Sequence, residues 1–386
     1  MSHSLAAIFW LSFGLTAYAY AGYPALIWVC ARWFGRAETP PELDDSELPT
    51  ITLLIAAHNE QAVIGERLEN ALALDYPRER LEIVVASDGS DDRTTEIVSS
   101  FADRGVRLLD YQSNRGKSAT LNAAWSELTS ELVLLSDANT AIEPQAPRKL
   151  ARWFRAPDIG AACGRLVLVD RATGRNVDGL YWRYETFLKR CEARLGALLG
   201  ANGAIYAIRR KSFAPIPTET IVDDFVIPLL ARITSGCRLV YDAEAAAREE
   251  TPERIGDEFR RRVRIGAGGF QSLGILWPLL SPREGWLAFS FVSHKLLRWL
   301  APFCLVAMVA ANLALLNEPA YRWTLAAQAT FYGLALIGAL APGKGAIVRL
   351  LRLTTLFSSM NLALFMGFFR WLAGRQGGSW ARTERA

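Results

Sequence analysis

The chain has 386 residues, 51% of them hydrophobic, and a formal net charge of only +4. That length exceeds one ordinary domain, and the apolar share exceeds that of a wholly soluble chain, with the excess at the two ends. No basic run is dense enough for a nucleic-acid footprint, and the scattered Cys30, Cys163, Cys191, Cys237 and Cys304 form no C-x-x-C pair, which argues against a disulfide framework or zinc site and for a reduced, cytoplasmic catalytic part.

Residues 5–31 carry no charge and are followed at once by Arg32 and Arg36, so residues 1–36 read as a membrane anchor with its N-terminus outward. A signal peptide would have a shorter apolar core preceded by positive charge. Residues 37–49 are acidic and Pro-rich, the composition of a linker. From Thr50 short apolar runs alternate with amphipathic ones. ITLLIAA precedes a helix beginning near Glu60, LEIVVAS a helix opened by Asp91 and Asp92, and VRLLDY a helix carrying Leu121 and Trp125; ELVLLSD follows. Such alternation predicts βαβ units and a parallel sheet with right-handed crossovers. GRLVLVD, AIYAIRR and CRLVYDA read as further strands, separated by helices around 180–195 and 223–233.

The most basic segment is 254–264, and after Gln271 the chain turns apolar again. Residues 272–294 have the Trp and Pro content of an interfacial segment, and 295–373 a membrane region. Within it 296–316 and 323–341 are spanning candidates joined by the short NEPAYR loop, with Lys295, Arg298, Lys344, Arg349 and Arg352 marking their cytoplasmic ends. Residues 353–369 are long enough to cross, yet basic residues on both sides leave the far side unassigned; 374–386 form a basic tail.

Common nucleotide signatures fail. Gly116-Lys117-Ser118 ends like a P-loop, but Tyr111 stands where the glycine is needed, and GAGGFQ near Gly266 lacks dinucleotide spacing. With only His3, His58 and His294, a histidine-based hydrolase has little to build on. What remains is a set of polar strand tips: His58-Asn59-Glu60 after the first strand, Asp88 after the second, and Asp137 with Asn139 after the fourth. In open α/β sheets the ligand crevice lies outside the carboxyl ends of the strands, where two oxygen-bearing side chains suit a hard divalent cation. Alone, the last pair reads sooner as an Asx turn capping the next helix.

Ala57-His58-Asn59-Glu60, Ser87-Asp88-Gly89-Ser90, Arg115-Gly116-Lys117 with Leu121-Asn122, Asp137-Ala138-Asn139 and Val222-Asp223-Asp224, in that order, resemble the motifs of family-2 inverting glycosyltransferases of the GT-A fold. The resemblance covers residues 50–271, and the apolar flanks resemble the cellulose, chitin and hyaluronan synthase branch. It implies an α/β, doubly wound, mostly parallel sheet inserted between transmembrane helices. It also implies that Asn59, Glu60 and Asp88 hold the uridine of a UDP-sugar, with Lys117 near the diphosphate. Asp137 and Asn139 stand at the metal motif for Mg²⁺ or Mn²⁺, Asn139 offering one charge fewer than the aspartate often found there. Asp224 is the implied general base, with Asp223 orienting or capping the following helix. Arg262 and Arg264 fall where processive members clamp the diphosphate, although Arg261 and Ile265 replace that motif's glutamine and tryptophan. Asn202 of Gly200-Ala201-Asn202-Gly203 lies where the acceptor is bound.

The expected protein is therefore a multi-pass inner-membrane enzyme with a cytoplasmic catalytic domain. It moves a sugar from a UDP-sugar, with inversion, to a lipid-linked or growing glycan at the bilayer, with polysaccharide export or assembly proteins as further partners. A processive synthase and a non-catalytic nucleotide-sugar-binding module are the competing readings.

Overall fold

The computed structural model describes residues 2–169, 176, 179–250, 255–343 and 345–374. Asp170, Lys344 and the basic tail from Arg375 onward lie outside the described residues. The chain divides into two compact units. One comprises residues 27–253 and 272–288, and the other residues 1–26, 254–271 and 289–376.

The first unit is built on β1 (Ile51–Ala57), β2 (Leu81–Asp88), β3 (Val106–Tyr111), β4 (Leu132–Asp137), β5 (Thr140–Ile142), β6 (Ile159–Val169), β7 (Tyr206–Arg209) and β8 (Arg238–Glu250). They form one sheet in the order β3-β2-β1-β4-β7-β6-β8-β5. The half β3-β2-β1-β4 is parallel throughout, with Ile51 opposite both Leu81 and Leu132. β7 lies antiparallel between β4 and β6, β8 runs parallel to β6, and β5 closes the edge antiparallel to β8. The sheet is mixed, its parallel half being the part that the βαβ alternation predicts.

All seven residues of β1 are buried, as a continuous apolar run covered on both faces requires. Leu53 and Ile55 share their core with Ile64, Leu68, Ala71 and Leu72 of the amphipathic helix Ile64–Leu72. Truncating Leu53 to Ala in such a core costs about 2–5 kcal/mol. Gly164 sits against β8: a Cβ there would lie 2.4 Å from the Ala245 carbonyl oxygen, beside an irregularity in the β6–β8 register. Only glycine admits that contact. Since β1, β2 and β4 run in register, the polar residues that end them all emerge on one edge.

Four helices are long and apolar enough to cross a membrane: His3–Trp33, Trp286–Ala314, Pro319–Leu340 and Ala346–Leu372. The first and second each contain a π turn, Tyr18–Gly22 and Phe291–Leu296. Within the second unit the Tyr18 hydroxyl hydrogen-bonds Ser293 Oγ at 2.9 Å, and Tyr20 donates to Asn361 Oδ1 at 3.1 Å. Phe9 meets the Tyr321 ring edge-on at 5.4 Å. Small residues set the tightest approaches, Gly338 against the Leu351 backbone and Gly367 against Val263 and Ala267, as helix pairs surrounded by lipid require. Trp10, Leu11, Trp323, Leu340 and Ile347 remain exposed, an apolar exterior suited to acyl chains. The second helix begins at Trp286, earlier than hydropathy around Lys295 indicates, and the last begins at Ala346, with Arg349 and Arg352 exposed in its opening turns. Those two arginines mask its start in a hydropathy reading.

Candidate active site

β4 ends at Asp137, and the helix Asp223–Ser235 begins at the acidic pair. The structure brings these elements together around Lys117, the first residue of the helix Lys117–Ser126. Its ammonium lies 2.8 Å from Asp137 Oδ1 and 3.1 Å from Asp223 Oδ2, with 25% of the side chain exposed. Burial alone would lower the Lys117 pKa, but Asp137 and Asp223 outweigh it and hold the ammonium well above an ordinary lysine. Asp223 is 7% exposed; burial pushes its carboxyl up, Lys117 opposes this, and Asp224 and Asp137 add to it. Asp223 is the first helical residue and lies in the acidic first turn. Its carboxylate pairs with Lys117.

Asp224 is half-buried, and its Oδ2 accepts from the Gly203 amide at 2.9 Å. Gly203 is also the point of closest approach: a Cβ there would lie 2.9 Å from Asp137 Oδ2 and 3.6 Å from Asp224 Oδ2. Beneath them the Tyr206 hydroxyl is fully buried and has no hydrogen-bond partner among the described residues. Burial first, then Asp223, Asp224 and Asp137, push its pKa well up, so it stays a neutral donor. Arg67, nearly fully buried, donates from Nε to the Asp137 carbonyl at 3.4 Å. Its pKa is lowered to about 10 by burial, with Asp137 opposing.

The residues expected on the nucleotide side stand on the neighbouring tips. Asn59 adopts φ +55°, a left-handed conformation that asparagine tolerates, and its Oδ1 accepts from the Asp91 amide at 2.9 Å. The Glu60 amide donates to Thr94 Oγ1 at 2.8 Å, which delays the helix start to Ile64. Asp88 is fully buried, and its two oxygens accept from the amides of Arg115 at 2.9 Å and Gly116 at 2.8 Å. That carboxylate therefore shapes the loop that launches the Lys117 helix. His58 Nδ1 meets the Asp88 carbonyl at 2.8 Å and Nε2 meets Asn114 Nδ2 at 3.1 Å, partners that put the proton on Nδ1.

Asn139 is half-buried, with Nδ2 donating to Glu249 Oε1 at 3.1 Å. No group of three or more His, Cys, Asp or Glu suited to a metal occurs among the described residues. The oxygens of Asp137 and Asn139 are of the hard type that Mg²⁺ or Mn²⁺ takes, and two such residues do not make an all-protein cage. Asn202 has both ends of its amide engaged: Oδ1 accepts from Lys189 and Nδ2 donates to the Gly164 carbonyl at 2.9 Å. Arg262 and Arg264 lie on the helix Ile255–Leu276, where Arg262 Nε pairs with Glu258 at 2.7 Å. Sequence reasoning missed Lys189, Tyr206 and Arg67, since nothing in their spacing marks a contact that only the fold creates.

Residues 52–215 match the family described as glycosyl transferase family 2. Poly-beta-1,6-N-acetyl-D-glucosamine synthase of Staphylococcus aureus (strain COL) is 28% identical over 246 residues, covering 60% of this chain and 58% of that one. The enzyme of the same name from Staphylococcus epidermidis is 26% identical over 255 residues, covering 62% and 60%. The alignments thus span under two thirds of these relatives' own length. Among solved structures, the mannosyltransferase PcManGT from Pyrobaculum calidifontis, in complex with GDP-Man and Mn²⁺, superposes with a TM-score of 0.73 at 23% identity, covering 96% of this chain and 99% of that one. That likeness supports the fold alone: a GT-A-like mixed sheet, its residues 52–215 similar to glycosyl transferase family 2, accompanied by helices long and apolar enough to cross a membrane.

Proposed function

We propose that this protein is a membrane glycosyltransferase that moves a sugar from a nucleotide sugar, with inversion, onto a lipid-linked or growing polysaccharide acceptor. The reading rests on one observation above all: Asp137, Asp223 and Asp224, from two elements, converge with Lys117 around Gly203 at the carboxyl edge of the parallel strands. Asp224 takes the proton from the attacking hydroxyl as the new glycosidic bond forms and the nucleoside diphosphate leaves on the opposite face of the sugar. Asn59 and Glu60 line the nucleoside side, and Asp88 acts through the 115–116 backbone. Lys117, held by Asp137 and Asp223, offers its charge to the diphosphate. Asp137 and Asn139 would hold Mg²⁺ or Mn²⁺, which when bound neutralises charge on the leaving diphosphate. UDP is the expected nucleotide and the inner membrane the expected location, with the catalytic unit on the cytoplasmic side.

The names of the staphylococcal relatives favour a polymer-forming version of this reaction. Purified protein given a panel of nucleotide sugars with Mg²⁺ or Mn²⁺ should release the nucleoside diphosphate from one of them. Asp224→Asn should lower that turnover at least about 100-fold while nucleotide binding persists. Full activity in that variant rejects Asp224 as base, and no turnover of any donor by the wild type rejects the enzyme reading. Product length on limiting acceptor then separates single transfer from polymerisation.

A further inference from the structure

The loop that carries Gly203 is fastened to Asp224 by two bonds, and each has a cause elsewhere in the chain. The Ala201 amide donates to the Asp224 carbonyl at 2.9 Å, and the Gly203 amide to Asp224 Oδ2 at 2.9 Å. In a regular helix the carbonyl of residue 224 would accept from the amide of residue 228. That residue is Pro228, inside the helix Asp223–Ser235, and proline has no N–H to give. The Asp224 carbonyl is therefore open to Ala201. On its other side the loop is held by Lys189, from the helix Leu180–Arg194, whose Nζ donates to Asn202 Oδ1 and to the Ala201 carbonyl at 3.3 Å. Asn202 continues the tether to the Gly164 carbonyl. Gly200, at φ +79°, turns the chain into this loop, and a Cβ there would lie 2.8 Å from the Phe225 ring.

From this arrangement we infer that Lys189 and Pro228 are positioning residues for Asp224, acting through the Ala201–Asn202–Gly203 loop. Lys189 fixes the loop with charge-assisted bonds, which are stronger than neutral ones. Pro228 leaves the backbone acceptor on which the loop docks. The Gly203 amide then fixes Oδ2, while Oδ1 accepts no hydrogen bond among the described residues and remains for the acceptor hydroxyl. Neither residue touches substrate in this scheme; each sets the direction in which the base points. The inference rests on the proposed role of Asp224, and the first of its tests does not need turnover.

Lys189→Met should accelerate hydrogen–deuterium exchange at the amides of Ala201 and Gly203, and unchanged exchange there overturns the inference whether or not the enzyme turns over. In the kinetic test Lys189→Met should lower kcat about tenfold or more, because small misplacements of a reacting group cost rates of that order, with nucleotide affinity within twofold of wild type. The same substitution in an Asp224→Asn background should change residual turnover less than twofold, since residues acting through one group are not additive. An equal loss in both backgrounds, or nucleotide affinity falling in step with kcat, shows a merely structural role and overturns the proposal. Pro228→Ala restores a competing amide and removes a helix-interior proline, so kcat should fall several-fold with no drop in thermal midpoint; unchanged kcat rejects the Pro228 half. Wild-type protein inert with every donor defeats the enzymatic reading instead, which the exchange result distinguishes.

Discussion

Gly203 is the residue at which the carboxylates leave least room. Its conformation does not demand glycine, since its φ is not left-handed; space does, because a Cβ would lie 2.9 Å from Asp137 Oδ2. Asp137 cannot yield freely while Lys117 holds its other oxygen. Gly203→Ala should therefore push apart the residues that meet donor and acceptor, lowering turnover about tenfold or more at a stability cost of about 1–3 kcal/mol. Steady-state kinetics beside urea unfolding check this, and unchanged turnover would mean that Asp137 has room to move. Asp137 and Asp224 could be singled out in the sequence because acids in a fixed order of motifs, one ending a strand and one opening a helix, carry their own signal. Lys189 and Pro228 were not, for their meaning lies in which carbonyl or amide they face after folding. Asp88 stands between the two: its position was legible, but its oxygens go to backbone amides, which no motif reveals.

The helix Lys117–Ser126 has no side-chain cap at Gly116, whose φ is +87°. Asp88 does part of that work from the neighbouring strand, accepting the Arg115 and Gly116 amides and so setting the height at which Lys117 enters the site. Replacing Asp88 by Asn turns one acceptor into a donor that faces an amide. Asp88→Asn should cost about 1–3 kcal/mol for the lost bond and weaken nucleotide affinity through the displaced helix start. Chemical denaturation and nucleotide titration test both, and a variant with wild-type stability would show the loop to be held without it. The other elements divide by how local their causes are. The buried strands announce themselves as apolar runs, and the helix Asp223–Ser235 by its acidic start. β5 is three residues long and exists only because β8 offers an edge, so no local pattern marks it. The helix Ile64–Leu72 starts later than its acidic opening suggests, since Asn59 and Glu60 are tied to the next loop.

At the scale of the whole chain, alternation of spans and loops sets which side each segment faces. Arg32 lies in the last turn of the first candidate span and Arg36 follows it, and the tight turn between the second and third carries only Glu318 among charged residues, with no basic residue until Arg322. Basic flanks tend to stay on the cytoplasmic side, so the orientation proposed above expects the strand-bearing segment after the first span inside and the turn at 315–318 outside. The helix Ala346–Leu372 complicates this rule, for Arg349 and Arg352 open it and Arg370 lies in its last turn. The two opening arginines can reach toward headgroups along their apolar stems, so they count toward the inner flank without shortening the span. Single cysteines introduced by Glu318→Cys and Asp44→Cys separate the cases in intact cells. The first should react with a membrane-impermeant maleimide and the second only after permeabilisation. Reaction of both without permeabilisation would put the acidic linker, and with it the start of β1, on the outer face, away from a cytoplasmic nucleotide-sugar supply, and would overturn the orientation on which the proposed transfer depends.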